Sequence, residues 1–272
     1  MAISLLPSNT PAIMLKETLE LAKAFQRIGA GYSSRKINKN MGASVILTRW
    51  VNAAISTTPE PEGQNPPTQA LLTEQYTATL QRYSAAFATS TYNATVNPLD
   101  WAKGQAAALK NQVLSTRERI RWNAAISGTN FLYNSPAVGS RPAVNGVITL
   151  GRIQKAVQTI EATKGETFTK DSTGSTKIGS SPVEAGYYCF AHTNAHPDIR
   201  NLPGFTKRAE MASSDYPDGT FGCVDNVIFV TSPEFVPFYG AGAATTTLLA
   251  TGGLTDVYPF VVCAKDALTD ID

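Results

Sequence analysis

The 272 residues are 43% hydrophobic, enough for a sizeable core in one large domain or two small ones. Only 16% are charged, against roughly 25% in an ordinary globular domain, so much of the surface is expected to lie against something other than water. No apolar run approaches the ~20 residues of a spanning helix, and the first residues carry no basic, apolar leader. Three cysteines, Cys189, Cys223 and Cys263, form no CxxC pair, which excludes a disulfide framework and gives no zinc signature.

The net charge of +2 is unevenly spread. Residues 1–50 carry seven Lys/Arg against two Asp/Glu, and residues 101–150 six against one. Residues 51–100 carry one against four, and residues 201–272 three against nine. Two basic segments thus face two acidic ones. They are suited to ordinary solvation, to a polyanion, or to acidic segments of a neighbouring copy.

In chain order, Thr10 and Pro11 open an amphipathic helix with Met14, Leu21, Phe25 and Ile28 at helical spacing, closed by Gly29 or Gly31. A polar basic stretch follows at 33–40. Residues 44–52 (SVILTRWVN) and 73–81 (TEQYTATLQ) read as strands. The Pro-rich connection between them is too long for a structureless loop inside a compact domain. Such a hairpin is not stable alone in water and needs a surface to lie on.

The strongest element is a helix over 98–127. Asn97 is its N-cap, Pro98 its first residue, and Asp100 sits near the positive end of the dipole. Leu99, Ala102, Ala106, Leu109, Val113, Ile120 and Ala124 form its apolar stripe, from which we predict a core led by Leu99, Leu109, Val113 and Ile120. Lys103, Lys110, Arg117, Arg119 and Arg121 make the rest basic. Beyond it we predict a helix opened by Thr149 and a mobile Gly/Ser/Thr/Lys-rich loop over 163–182. A strand follows at 186–191, then a short helix from Pro197, strands at 224–231 and 257–264, and a turn-like 241–253. Strands and helices mixed without strict alternation indicate an α+β fold.

Catalytic patterns are weak. His192 and His196 stand four apart, but Pro197 removes His196 from the helical geometry a metal pair would use. Each cysteine lies in or beside an apolar strand, where a thiol acts as a small hydrophobe. No GxSxG, Walker-type or GxGxxG pattern occurs. Catalytic residues, metal sites and cofactors are therefore expected to be none.

The order of elements, with several local motifs, resembles the major capsid proteins of tailed bacteriophages, the Johnson or Hong Kong-type fold. GASVILTRW with TPEPEGQNPP resembles the first strand and tip of that family's extended loop, and QYTATLQRYSAAFATS its return strand. NPLDWAKGQAAALKNQVLSTRERIRWNAAISGT resembles the spine helix. YYCFAHTNAHPDIRNLPGF, FGCVDNVIFVTSPEF and DVYPFVVCAKDAL resemble units of the axial domain and its late strands. The resemblance implies an N-terminal arm over 1–40, an extended loop over 41–90, the spine helix of a peripheral domain over 91–130, and an axial domain over 131–272. The family's C-terminal peripheral strands are expected to be missing here.

By that resemblance the protein is a structural virion component, assembled in the host cytoplasm, forming hexamers and pentamers of an icosahedral shell around double-stranded DNA, without a membrane. Portal, scaffolding or decoration proteins would be further partners. Trp50, Glu60, Glu62, Gln64 and Tyr76 in the extended loop would serve assembly. Lys16, Lys23, Arg27, Arg35, Lys36 and Lys39 would face packaged DNA, through sequence-independent charge. Some relatives cross-link through an extended-loop lysine, but residues 51–72 contain none. Two other readings are a nanocompartment shell protein of the same fold and a small hydrolase using Cys189 and His192.

Overall fold

The computed structural model describes residues 24–37, 44–59, 62–63, 65, 68–88, 90, 101–174, 180–212 and 216–271. The chain divides into two compact units. One comprises Ser34–Ser84 with the extreme C-terminus, and the other holds the preceding residues and Ala85–Asp270.

Eleven strands and three α-helices occur among the described residues: β1 (Tyr32–Arg35), β2 (Ser44–Trp50), β3 (Thr73–Thr79), α1 (Trp101–Ile126), α2 (Leu150–Ala162), β4 (Tyr187–His192), α3 (His196–Arg200), β5 (Thr206–Lys207), β6 (Thr220–Val224), β7 (Val227–Ser232), β8 (Ala250–Thr251), β9 (Leu254–Thr255), β10 (Val261–Cys263) and β11 (Leu268–Ile271). A five-stranded sheet in the order β10-β4-β7-β6-β5 forms the centre of the larger unit. Only its β4–β7 pair is parallel, and β10–β4, β6–β7 and β5–β6 are antiparallel.

Both faces of this sheet are covered, so its middle strands read as continuous apolar runs rather than as an alternation. The period of two still sorts their side chains between two cores. Tyr187, Cys189, Ala191, Val227 and Phe229 meet Ile153 and Val157 of α2 and Ile199 of α3. Tyr188, Phe190, Ile228 and Val230 meet Trp122 of α1, Ile28 and Phe235. Gly31 lies so close to the second core that a Cβ there would come within 2.6 Å of the Phe190 ring.

Several expected boundaries match. The strands at β2 and β3 and the N-cap position of Thr149 agree with the sequence reading. Helix α3 begins one residue before Pro197, so His196, expected to be outside helical geometry, is helical with φ −53° and ψ −44°, because a proline is tolerated in the first turn. Three further expectations are corrected. The helix expected to run through Phe25 and Ile28 is absent at 24–27, and Ile28–Gly31 is a single 3-10 turn; its earlier part lies outside the described residues. The run expected as one strand over 224–231 contains the turn of the β6–β7 hairpin. Asp225 takes a positive φ of 49° there, a conformation Asp tolerates better than most residues. The turn-like 241–253 holds the start of a small hairpin, β8–β9, whose Gly252 and Gly253 both have positive φ.

Residues past Ala267, which carried no strand signal, form β11, and it pairs with β1. In the smaller unit, β2 and β3 form a regular antiparallel hairpin from Ser44↔Thr79 to Trp50↔Thr73.

Candidate functional site

The face of α1 that packs is polar, and its partners come from far along the chain. Over its last three turns or so, positions 115, 118, 119 and 122 line one side, and 117 and 121 adjoin it. Ser115 Oγ donates to Glu234 Oε1 at 3.1 Å, and Arg119 approaches Glu234 Oε2 at 3.5 Å. Arg117 Nη2 donates to Asp270 Oδ2 at 2.9 Å, and Arg121 Nε donates to the same oxygen at 3.0 Å. Trp122 Nε1 donates to the Val236 carbonyl at 3.0 Å. Glu118, fully buried, accepts the backbone N–H groups of Arg27 and Ile28 on Oε1, at 2.8 and 2.9 Å. One helix surface therefore fixes the root of the N-terminal segment, the loop after β7 and strand β11.

This arrangement bears on the charge asymmetry. Arg117, Arg119 and Arg121 of the basic second segment meet Glu234 and Asp270 of the acidic last segment within one chain. Burial disfavours the Asp270 carboxylate, but hydrogen bonds and charge from Arg121 and Arg117 outweigh it and hold its pKa below the usual range.

The predicted spine core is corrected. Val113 is 60% exposed, and Leu109 and Ile120 are only half-buried; Leu99 lies outside the described residues. At about 100° per residue, the Leu109–Val113 stripe lies roughly opposite Glu118 and Trp122, the two fully buried positions of α1 among its described side chains. Hydrophobicity alone selected the wrong face, because the packed one gains its stability from paired polar groups and one large aromatic.

Among the residues expected to face DNA, Lys16, Lys23 and Lys39 lie outside the described residues. Arg35 and Lys36 are exposed. Arg27 is corrected: its Nη1 donates to the Thr231 carbonyl, and the Phe25 ring lies 4.3 Å from its guanidinium carbon. Its side chain is engaged by the body of its own unit.

The extended-loop residues sit on the smaller unit. Trp50 and Ile46 share one face of the β2–β3 hairpin, and Tyr76 lies on the other with Leu47 and Val45. Trp50 is 65% exposed, and Ile46, Leu71, Leu72 and Tyr76 are also exposed. Arg49 and Glu74 pair across the strands at 2.9 Å, and Tyr76 Oη donates to the same Glu74 oxygen at 2.8 Å. Glu62 is exposed beside Gly63, which has a φ of 89°. Glu60 and Gln64 lie outside the described residues.

The histidines take structural roles. His192 Nδ1 accepts from the Asn194 N–H at 2.9 Å. His196 stacks on Phe221 at 3.9 Å and shares a 2.8 Å hydrogen bond with Thr231 Oγ1. Burial pushes the pKa of both below the ordinary value. Cys189 and His192 are three apart on one strand, so their side chains leave opposite faces. Burial also pushes the Cys189 thiol far above its ordinary pKa, against thiolate chemistry. Among the described residues, no group of three or more His, Cys, Asp or Glu is placed to hold a metal, and no helix is long and apolar enough to cross a membrane.

No protein-family model and no curated protein matches this chain. Solved structures do. The chain is similar to a subunit of the bacteriophage PhiM1 mature capsid, with a TM-score of 0.51 and 11% identity over 94% of this chain and 73% of that one. It is similar to the capsid of Ralstonia phage GP4, at 0.51 and 11% over 89% and 79%, and to that of cyanophage P-SCSP1u, at 0.51 and 16% over 89% and 72%. The chain has the α+β phage capsid fold.

Proposed function

We propose that this chain is the major capsid protein of a tailed phage. It self-assembles into hexamers and pentamers of an icosahedral shell around double-stranded DNA, and its place is the virion. The observation that carries this reading is the fold shared with three phage capsids across 89–94% of the chain. The β2–β3 hairpin supports it. Two isolated strands with Ile46, Trp50 and Tyr76 in water are unfavourable, and the same side chains become a source of binding energy once a neighbouring subunit covers them. A specific contact of this kind typically buries about 800 Å² per partner. The chemistry is then association alone: hairpin, helix face and loops are complementary surfaces, and no bond is made or broken.

Electron microscopy of the purified protein tests the proposal. Closed shells, rings or capsomers support it, and compact monomers at all concentrations overturn it. Nuclease-protected DNA in particles from the native source supports genome enclosure. Particles filled with protein instead would assign the fold to a nanocompartment.

A further inference from the structure

Glu118 is a fully buried carboxyl group on α1, and it holds the segment that leads out of the N-terminal arm. Its Oε1 accepts the N–H groups of Arg27 and Ile28, the residues that open the 3-10 turn Ile28–Gly31. No side chain of the turn itself caps it. Glu118 thus acts as its cap from a distance of about ninety residues in sequence. Its other oxygen, Oε2, is buried and has no hydrogen-bond partner among the described residues. Three charged or titratable groups act on Glu118: Tyr32 from the arm root, Arg121 from α1 and Glu234 from the loop after β7. Arg27 reaches it through its backbone N–H. Arg121 is committed to Asp270, and Arg27 to Thr231.

An ionised Glu118 would bury a negative charge with one oxygen unsatisfied and no ion pair to offset it, whereas a neutral carboxyl still accepts both N–H bonds through Oε1. Burying the unpaired ion costs far more than burying the neutral acid.

We propose that Glu118 is a proton-operated latch: as the neutral acid it keeps the arm root, residues 24–31, docked on α1, and on ionising it loosens that segment. The direction of its pKa agrees. Burial raises it, the two N–H bonds and Arg121 oppose the rise, and Glu234 adds to it. A carboxyl raised in the docked state binds its proton more tightly there than when the segment is free. Docking is therefore strongest below the ordinary carboxyl pKa and weakens as pH rises through the raised value. Because the turn Ile28–Gly31 leads directly into β1, loosening here would free the chain that precedes it, with the loss of Ile28's contact with the second core.

Hydrogen–deuterium exchange of the full chain tests this, with rates corrected for the intrinsic pH dependence of exchange. Protection of the Arg27 and Ile28 amides should fall about tenfold from acid to alkaline pH, a change of about 1.4 kcal/mol. Protection of β4 and β7 should stay constant. In Glu118→Gln, which keeps the accepting oxygen but cannot ionise, protection should no longer change with pH. Wild-type protection that does not vary with pH overturns the latch, and this readout needs no variant. A Glu118→Gln protein retaining the full pH response also overturns it, since another group such as His196 would then carry the effect.

Discussion

Trp122 stacks on Phe235 with ring centroids 4.6 Å apart and planes 16° from parallel. Both rings are fully buried, and Phe190 meets Phe235 edge-on at 6.0 Å. The contact joins α1, the loop after β7 and the central sheet, so α1 is anchored by an aromatic pair rather than by its aliphatic stripe. Removing either ring leaves a large cavity. Trp122→Ala and Phe235→Ala should each destabilise the subunit by about 3–5 kcal/mol, measured by denaturant unfolding. A loss below about 1 kcal/mol would mean that α1 is held elsewhere.

The stripe on the other side of α1 behaves differently. Val113 is exposed, so Val113→Asp should leave the stability of the isolated subunit within about 0.5 kcal/mol of wild type. If that face of α1 lies against a neighbour in the shell, the same variant fails to assemble while staying folded. A Val113→Asp chain that unfolds would place Val113 in a core.

What the sequence made legible, and what it hid, follows from the range of the interactions involved. The alternation in SVILTRW and TEQYTAT, and Thr149 before an apolar helix, are local signals, and β2, β3, α2 and the C-terminal end of α1 came out close to their bounds. Asn97, Pro98 and Asp100 lie outside the described residues. The packed face of α1 was not legible. Glu118, Arg121 and Ser115 look like solvent-facing residues until Ile28, Asp270 and Glu234, between 90 and 149 residues away, are brought to them. The β6–β7 turn was hidden for a different reason: Asp225-Asn226 interrupts an apolar run by only two residues, and the hydrophobicity on either side outweighed it. Arg27 looked like part of a basic arm because nothing in its neighbourhood announces Thr231.

The pairing of Asp270 with Arg117 and Arg121 should be visible in acid. Its carboxyl is held below the ordinary aspartate pKa in the folded chain, so the stabilisation is fully present above the unfolded value and is lost as pH falls through the folded one. Asp270→Asn should remove that part of the acid sensitivity. At neutral pH it should cost about 2 kcal/mol, because hydrogen bonds to charged groups are lost and Arg121, with a side chain only 10% exposed, is left without its carboxylate. Identical acid-unfolding profiles for the two proteins would assign the sensitivity to other carboxyls.

The hairpin connection should change its accessibility on assembly. Residues 51–57 are irregular, and most of them are exposed. A nonspecific protease should therefore cut the isolated subunit within 51–72 before it cuts the central sheet. In assembled particles the same segment should resist, because the hairpin then has the surface it lacks alone. Equal cleavage rates in subunit and particle would show that this segment makes no contact with a neighbour.

The arm charges pose the remaining question, and the structure narrows which of them to test. Arg27 is unsuitable, since its guanidinium is bound to Thr231 and its loss would disturb the fold. Arg35 and Lys36 are exposed, and Lys39 follows closely in sequence. If these groups lie near packaged DNA, they act through charge and counterion release, without reading bases. If they pair instead with acidic segments of adjacent subunits, they serve assembly itself. Raising the salt concentration weakens both kinds of contact and separates nothing. Replacing Arg35, Lys36 and Lys39 together with Gln does separate them. With DNA as the partner, empty shells should form at wild-type yield while filled particles lose their genome more readily on heating or chelation. Failure to form empty shells would assign the charges to contacts between subunits, and unchanged genome retention would mean that residues 35–39 do not touch the DNA.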